Sequence, residues 1–135
     1  MISAWESLHL ATLELVRSTP IKQRLVTSYR RHLTAISAEQ LPGEVRESFC
    51  QIMDSLSGVQ PLKGEDAVAA SVRKMSIQEA DDCASLIVEI FGITCRLLLN
   101  AARASAEVVQ LHTAEREESQ ETLEAEDIPA LIANH

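Results

Sequence analysis

Residues 77–109 read IQEADDCASLIVEIFGITCRLLLNAARASAEVV, and this stretch decides the fold. Ile77, Ala80, Ala84, Ile87, Phe91, Thr94, Leu98, Ala101, Ser105 and Val108 recur at three- and four-residue steps, the period of an amphipathic helix. A second apolar row runs through Cys83, Leu86, Ile90, Ile93 and Leu97. Polar character shrinks to every seventh position: Asp82, Glu89, Arg96, Arg103 and Gln110. Between 83 and 102 the helix is therefore apolar almost all round, and such a helix has to be covered on most sides. Either the other helices pack around it, or a second copy of the chain does.

From residue 77 to about 112 there is no proline and one glycine, Gly92. Unbroken, that length spans roughly 54 Å, whereas a compact domain of this size has a radius of gyration of about 14 Å. The helix must overhang, bend or break, with Gly92 and the small-residue run 101–106 as the places to do so. Average helix lengths favour a break or a frayed extension after about 104. The same small residues would admit a second helix at close range.

Working towards the N-terminus, four shorter helices are expected. Ser76 and Glu79 form a capping box at the start of the long helix, as Ser3 and Glu6 do for a first helix over about 4–17. Thr19-Pro20 opens a second, about 20–37, with Ile21, Leu25, Tyr29, Leu33 and Ile36 in one arc that also holds His32. Leu41-Pro42 opens a third, about 42–56, carrying Val45, Phe49, Ile52, Met53 and Leu56, with Gly58 near its end. A loop over 57–64 leads to a short fourth helix, about 65–74, with Val68 and Val72 inside. Glu65, Asp66, Asp81 and Asp82 fall where acids complement a helix N-terminus. The expected fold is all-α: a four- or five-helix bundle (residues 1–112) around a long central apolar helix, about 77–104 and extendable to 112, followed by an acidic, mobile C-terminal tail (113–135).

The composition limits function. The chain has 135 residues, a net charge of −8 and 46% apolar residues, which fits one globular domain and excludes a disordered chain. The longest stretches without a charged residue, 55–62 and 128–135, are eight residues each, far short of a membrane span. No basic segment precedes an apolar one at the N-terminus, since Glu6 comes before the first base, Arg17. Cys50, Cys83 and Cys95 are odd in number and contain no C-x-x-C; they read as small hydrophobes in a reducing, cytoplasmic compartment. Of the three, only Cys95, beside Arg96, hints at the electropositive setting a reactive thiol needs.

The charge is unevenly placed. Residues 15–38 hold no acid and five bases, Arg17, Lys22, Arg24, Arg30 and Arg31, so with −8 overall the rest of the chain carries −13. That face reads either as solvated bases paired with neighbouring helices or as an anion-recognition face. Nucleic acid fits it poorly, because no stacking platform accompanies the bases and the surrounding charge opposes approach. Residues 113–127 hold seven acids against Arg116, and the apolar tip Ile128, Leu131 and Ile132 follows. This tail could dock on helix 2, or both could meet an outside partner.

Motifs for catalysis are missing: no G-x-S-x-G, P-loop, G-x-G-x-x-G or H-E-x-x-H occurs. Glu6 and His9 form a single E-x-x-H, a weak metal candidate because carboxylate-bridged di-iron bundles use two such motifs and two further glutamates. No cofactor is expected. The leading expectation is a small cytosolic, non-enzymatic protein-interaction module, regulatory or chaperone-like, that meets a protein partner or its own copy. The alternatives are a helical-bundle metal- or ligand-binding protein or enzyme, and a nucleic-acid-associated regulator using helix 2.

Overall fold

The computed structural model describes the backbone of residues 2–133 and the side chains of residues 2–111. The fold is all-α. Helices α1 (Ala4–Leu15), α2 (Ile21–Arg31), α3 (Gly43–Ser57), α4 (Ala67–Lys74) and α5 (Ile77–Ala133) follow in order, with two 3-10 turns, Leu33–Ala35 and Ala38–Gln40, between α2 and α3. Two compact units divide the chain, Met1–Leu97 and Leu98–His135.

In the first unit, every helix contributes one apolar row to a single core. The rows are Leu8, Ala11 and Leu15; Leu25; Val45, Phe49, Ile52 and Leu56; Val68 and Val72; and Ala80, Ala84, Ile87 and Ile90. Each leucine or isoleucine fully withdrawn from water contributes about 1.5–3 kcal/mol. Cys83, Leu86 and Ile93 of the second apolar row of α5, and Phe91 of the first, pack partly buried against this core. Val88 and Ile77 remain exposed.

Helix starts follow the expected chemistry. Both capping boxes form: Ser3 Oγ accepts from Glu6 N–H while Glu6 accepts from Ser3 N–H, and Ser76 and Glu79 do the same. Pro20 and Pro42 stand at the N-caps, one residue before the first helical turn. Asp66 caps α4 by accepting from Ala69 N–H at 3.0 Å. Gly58 ends α3, where a Cβ would lie 2.7 Å from the Asp54 carbonyl oxygen.

Two expectations change. The second helix stops at Arg31 rather than near residue 37, because His32 leaves helical geometry at φ −128°. Thr34 turns its hydroxyl back to the Arg30 carbonyl, a competing bond that weakens helices, and a 3-10 turn follows. Leu33 and Ile36 are buried all the same, since a 3-10 turn brings i and i+3 to one side as an α-helix does. The long helix, in turn, does not break at Gly92 or after Ala104. One glycine costs a helix only about 1 kcal/mol, and the alanine-rich run 101–106 has the strongest helix propensity available.

Candidate functional site

The five bases of residues 15–38 bind the chain's own helices. Arg24 Nη1 donates to the Leu15 carbonyl at 2.6 Å and so satisfies one of the carbonyls left open at the end of α1. One turn on, the buried Ser28 hydroxyl donates to the Ala11 carbonyl at 3.0 Å. Ser28 and Ala11 are both small and buried, so α1 and α2 approach closely at this point.

The opposite side of α2 holds α4. Arg30 makes a two-pronged contact with Asp66, at 2.9 and 2.7 Å, at the start of α4. Lys22 Nζ donates to the Arg73 carbonyl at 3.3 Å, near its end. Residue 30 faces residue 66 and residue 22 faces residue 73, so the two helices run antiparallel with both ends of α4 fastened. The Arg30 guanidinium, helped by the Ala69 N–H, holds the Asp66 carboxyl below the usual carboxylate range. Arg73 does the same for Glu65, through a contact at 2.9 Å.

Arg17 and Arg31 converge with His32 on Glu14, at 4.0, 3.7 and 3.5 Å. Arg17 and Arg31 are largely exposed, so these contacts are weak and salt-screened. Between α2 and α4 lies an open cleft of about 540 Å³ with Val26 and Val72 among its lining residues and Lys22, Arg30 and Arg73 as its bases. Two of those three bases already hold carboxylates. Sequence reasoning had no means to find the Arg30–Asp66 pair, because it depends on how α4 folds back on α2; the Arg73–Glu65 pair spans α4 itself, eight residues apart.

Glu6 and His9 serve other ends than a shared ligand. Glu6 is turned back to the N-cap of α1. The His9 ring stacks on Phe91 at 5.5 Å between centroids and 8° between planes, with Trp5 beside both. Trp5 Nε1 donates to Cys95 Sγ at 2.9 Å. Among the described residues no group of three or more His, Cys, Asp or Glu side chains is placed to hold a metal. The three cysteines are unpaired. Burial pushes the Cys83 thiol up to about 11, so it stays protonated at neutral pH and is a poor nucleophile. The tail residues Ile128, Leu131 and Ile132, and any docking of the tail on α2, lie outside the residues whose side chains are described.

The second unit offers a different surface. On α5, Leu98, Leu99, Val108 and Leu111 are 47%, 51%, 53% and 64% exposed. Ala101, Ala102, Ala104 and Ala106 are exposed as well. At about 100° per residue, Leu98, Ala101, Ala102, Ala104, Ser105, Val108 and Leu111 fall within one half of the helix circumference. Asn100 and Glu107 border one edge of this arc and Ala106 and Leu99 the other, while Arg103 lies on the far side of the helix. Among the described residues no helix is long and apolar enough to cross a membrane, so this face does not read as part of a membrane span. No protein-family model, curated protein or solved structure matches the chain.

Proposed function

We propose that this chain is a small, non-enzymatic protein-interaction module, regulatory or chaperone-like, that binds a protein through the exposed apolar face of α5 between Leu98 and Leu111. One observation carries the reading: Leu98, Val108 and Leu111, each about half exposed or more, lie on one half of the α5 circumference with exposed alanines between them. Scattered surface leucines are ordinary, but a continuous apolar stripe on a helix is the form in which helices meet grooves or other helices. The three unpaired cysteines support a reducing, cytosolic setting.

The test compares the natural chain with a Leu98→Glu/Val108→Glu/Leu111→Glu variant by chemical crosslinking in extracts of the source cell. The fold of both is checked by circular dichroism. Crosslinks that map to residues 98–111 in the natural chain and vanish in the variant support the reading, whether the second protein is this chain or another. Crosslink maps that leave 98–111 untouched overturn it.

A further inference from the structure

We infer that the cleft between α2 and α4 binds a carboxylate carried on an aliphatic body. The inference does not rest on the α5 face. Size, charge and the way the bases are held each bear on it.

The cleft measures about 540 Å³, within the roughly 300–1,000 Å³ range of small-ligand sites. Its charged lining residues are all bases, Lys22, Arg30 and Arg73, in a chain whose net charge is −8. Val26, Ala69 and Val72 supply an apolar wall beside them. A few converging polar groups on an apolar wall are the usual make-up of a ligand site.

The two arginines are held in the same way. Asp66 takes Arg30 by Nε and Nη2, at 2.9 and 2.7 Å. Glu65 takes Arg73 by the same two nitrogens, at 3.3 and 2.9 Å. A guanidinium carries five N–H donors in one rigid plane, so a carboxylate on the Nε edge fixes the plane without exhausting it. Nη1 of each arginine has no hydrogen-bond partner among the described residues. Lys22 Nζ donates to the Arg73 carbonyl at 3.3 Å and keeps two further N–H groups. Neither Asp66 nor Glu65 lines the cleft. They act as the supporting groups that hold a recognition residue in place before its ligand arrives.

The same two carboxylates set the charge of the ligand. Three bases against two acids leave a surplus of one positive charge, which matches a single carboxylate. A phosphate dianion or a nucleic-acid backbone carries more negative charge than the site can balance. The aliphatic body belongs against Val26 and Val72. Two sources offer this chemistry: a free aliphatic acid, and the C-terminus of a peptide that ends in apolar residues.

The experiment follows backbone amide resonances of the full chain by NMR during titration with octanoate up to 20 mM. Amides of Lys22, Val26, Ala69 and Arg73 should shift saturably, with a dissociation constant on the order of 1 mM for so small a ligand. Octanamide, which keeps the hydrocarbon and drops the charge, should bind about 10-fold more weakly. Gln23 is exposed, lines the cleft and has no side-chain hydrogen bond among the described residues, so its charge can be changed without loosening α4. Gln23→Glu should weaken octanoate binding about 3-fold and Gln23→Lys should strengthen it about 3-fold. Shifts that do not saturate, or that fall outside the cleft, overturn the inference. So does equal affinity for octanoate and octanamide, or affinity indifferent to both Gln23 variants. A parallel titration with N-acetyl-leucyl-leucine separates the sources: tighter binding than octanoate assigns the site to a peptide terminus, and weaker binding to a free aliphatic acid.

Discussion

Two buried hydroxyls in the first unit should respond to deletion with opposite signs. Thr94 on α5 is 1% exposed, and its Oγ1 has no hydrogen-bond partner among the described residues. Ser28 on α2 is 0% exposed, and its hydroxyl donates to the Ala11 carbonyl at 3.0 Å. A hydroxyl taken from water without a partner costs about 1–3 kcal/mol on the scale of mutational data. Thr94→Val keeps the shape and the branched Cβ, barely changes helix propensity, and removes that cost. It should stabilise the fold by about 1–2 kcal/mol. Ser28→Ala removes a satisfied bond and should destabilise by about 1 kcal/mol. The assay is urea denaturation followed by circular dichroism at one fixed, low protein concentration, because any dimer would add to apparent stability. In thermal melts each kcal/mol should move the midpoint by about 4–8 °C for a unit of this size. A Thr94→Val variant less stable than the natural chain would refute the reasoning, for it would mean that the hydroxyl has a partner in solution.

Gly58→Ala should destabilise by about 1 kcal/mol or more, since its Cβ would meet the Asp54 carbonyl oxygen at 2.7 Å; an unchanged melting temperature would show that the end of α3 can shift at no cost. Asp66→Asn keeps a capping side chain but loses the charge opposite Arg30. The folded Asp66 carboxyl titrates below its usual value, so its contribution is present above about pH 3.9 and is lost as pH falls through the lower folded value. The stability gap between this variant and the natural chain should be open at pH 7 and close at strongly acidic pH, read from urea midpoints at both. Alkylation at pH 8 followed by mass spectrometry should label the exposed Cys50 first and Cys83 last, because burial holds the latter's thiol at about 11; prompt labelling of Cys83 would contradict its burial.

Legibility in the sequence differs by feature. The capping boxes at Ser3 and Ser76 involve partners three residues apart, so local spacing reveals them completely. The buried rows of α3 and α5 were likewise readable, because apolar periodicity reports burial directly. The same signal misled about α2. Leu33 and Ile36 are buried as their spacing implies, but periodicity cannot tell a continued α-helix from a 3-10 turn with the same facing residues. The basic run was visible as a run; its pairing was not. Arg30 meets Asp66 across 36 positions and Lys22 reaches a backbone carbonyl 51 positions away, and no local pattern encodes a contact of that separation. The apolar surplus of the long helix was evident from composition alone. What the structure adds is the division of that surplus: a part spent on the first unit's core, ending near Thr94, and a part between Leu98 and Leu111 left in contact with solvent.

The fastening of α4 has a consequence for the order in which the molecule opens and closes. Eight residues are too few for a helix to persist alone in water. Asp66 and the Arg73 carbonyl, at its two ends, are both held from α2. When α2 unravels, α4 loses both anchors at once, so the two helices should exchange their amide hydrogens with deuterium as one cooperative unit. The loop before α4 depends on it in turn, because the Ser71 hydroxyl accepts from Val59 N–H at 3.0 Å. The basic run is thus the latch of a subglobal unfolding unit: reversing Lys22 or Arg30 should shorten the protected lifetime of α4 amides while leaving those of α3 near their original values.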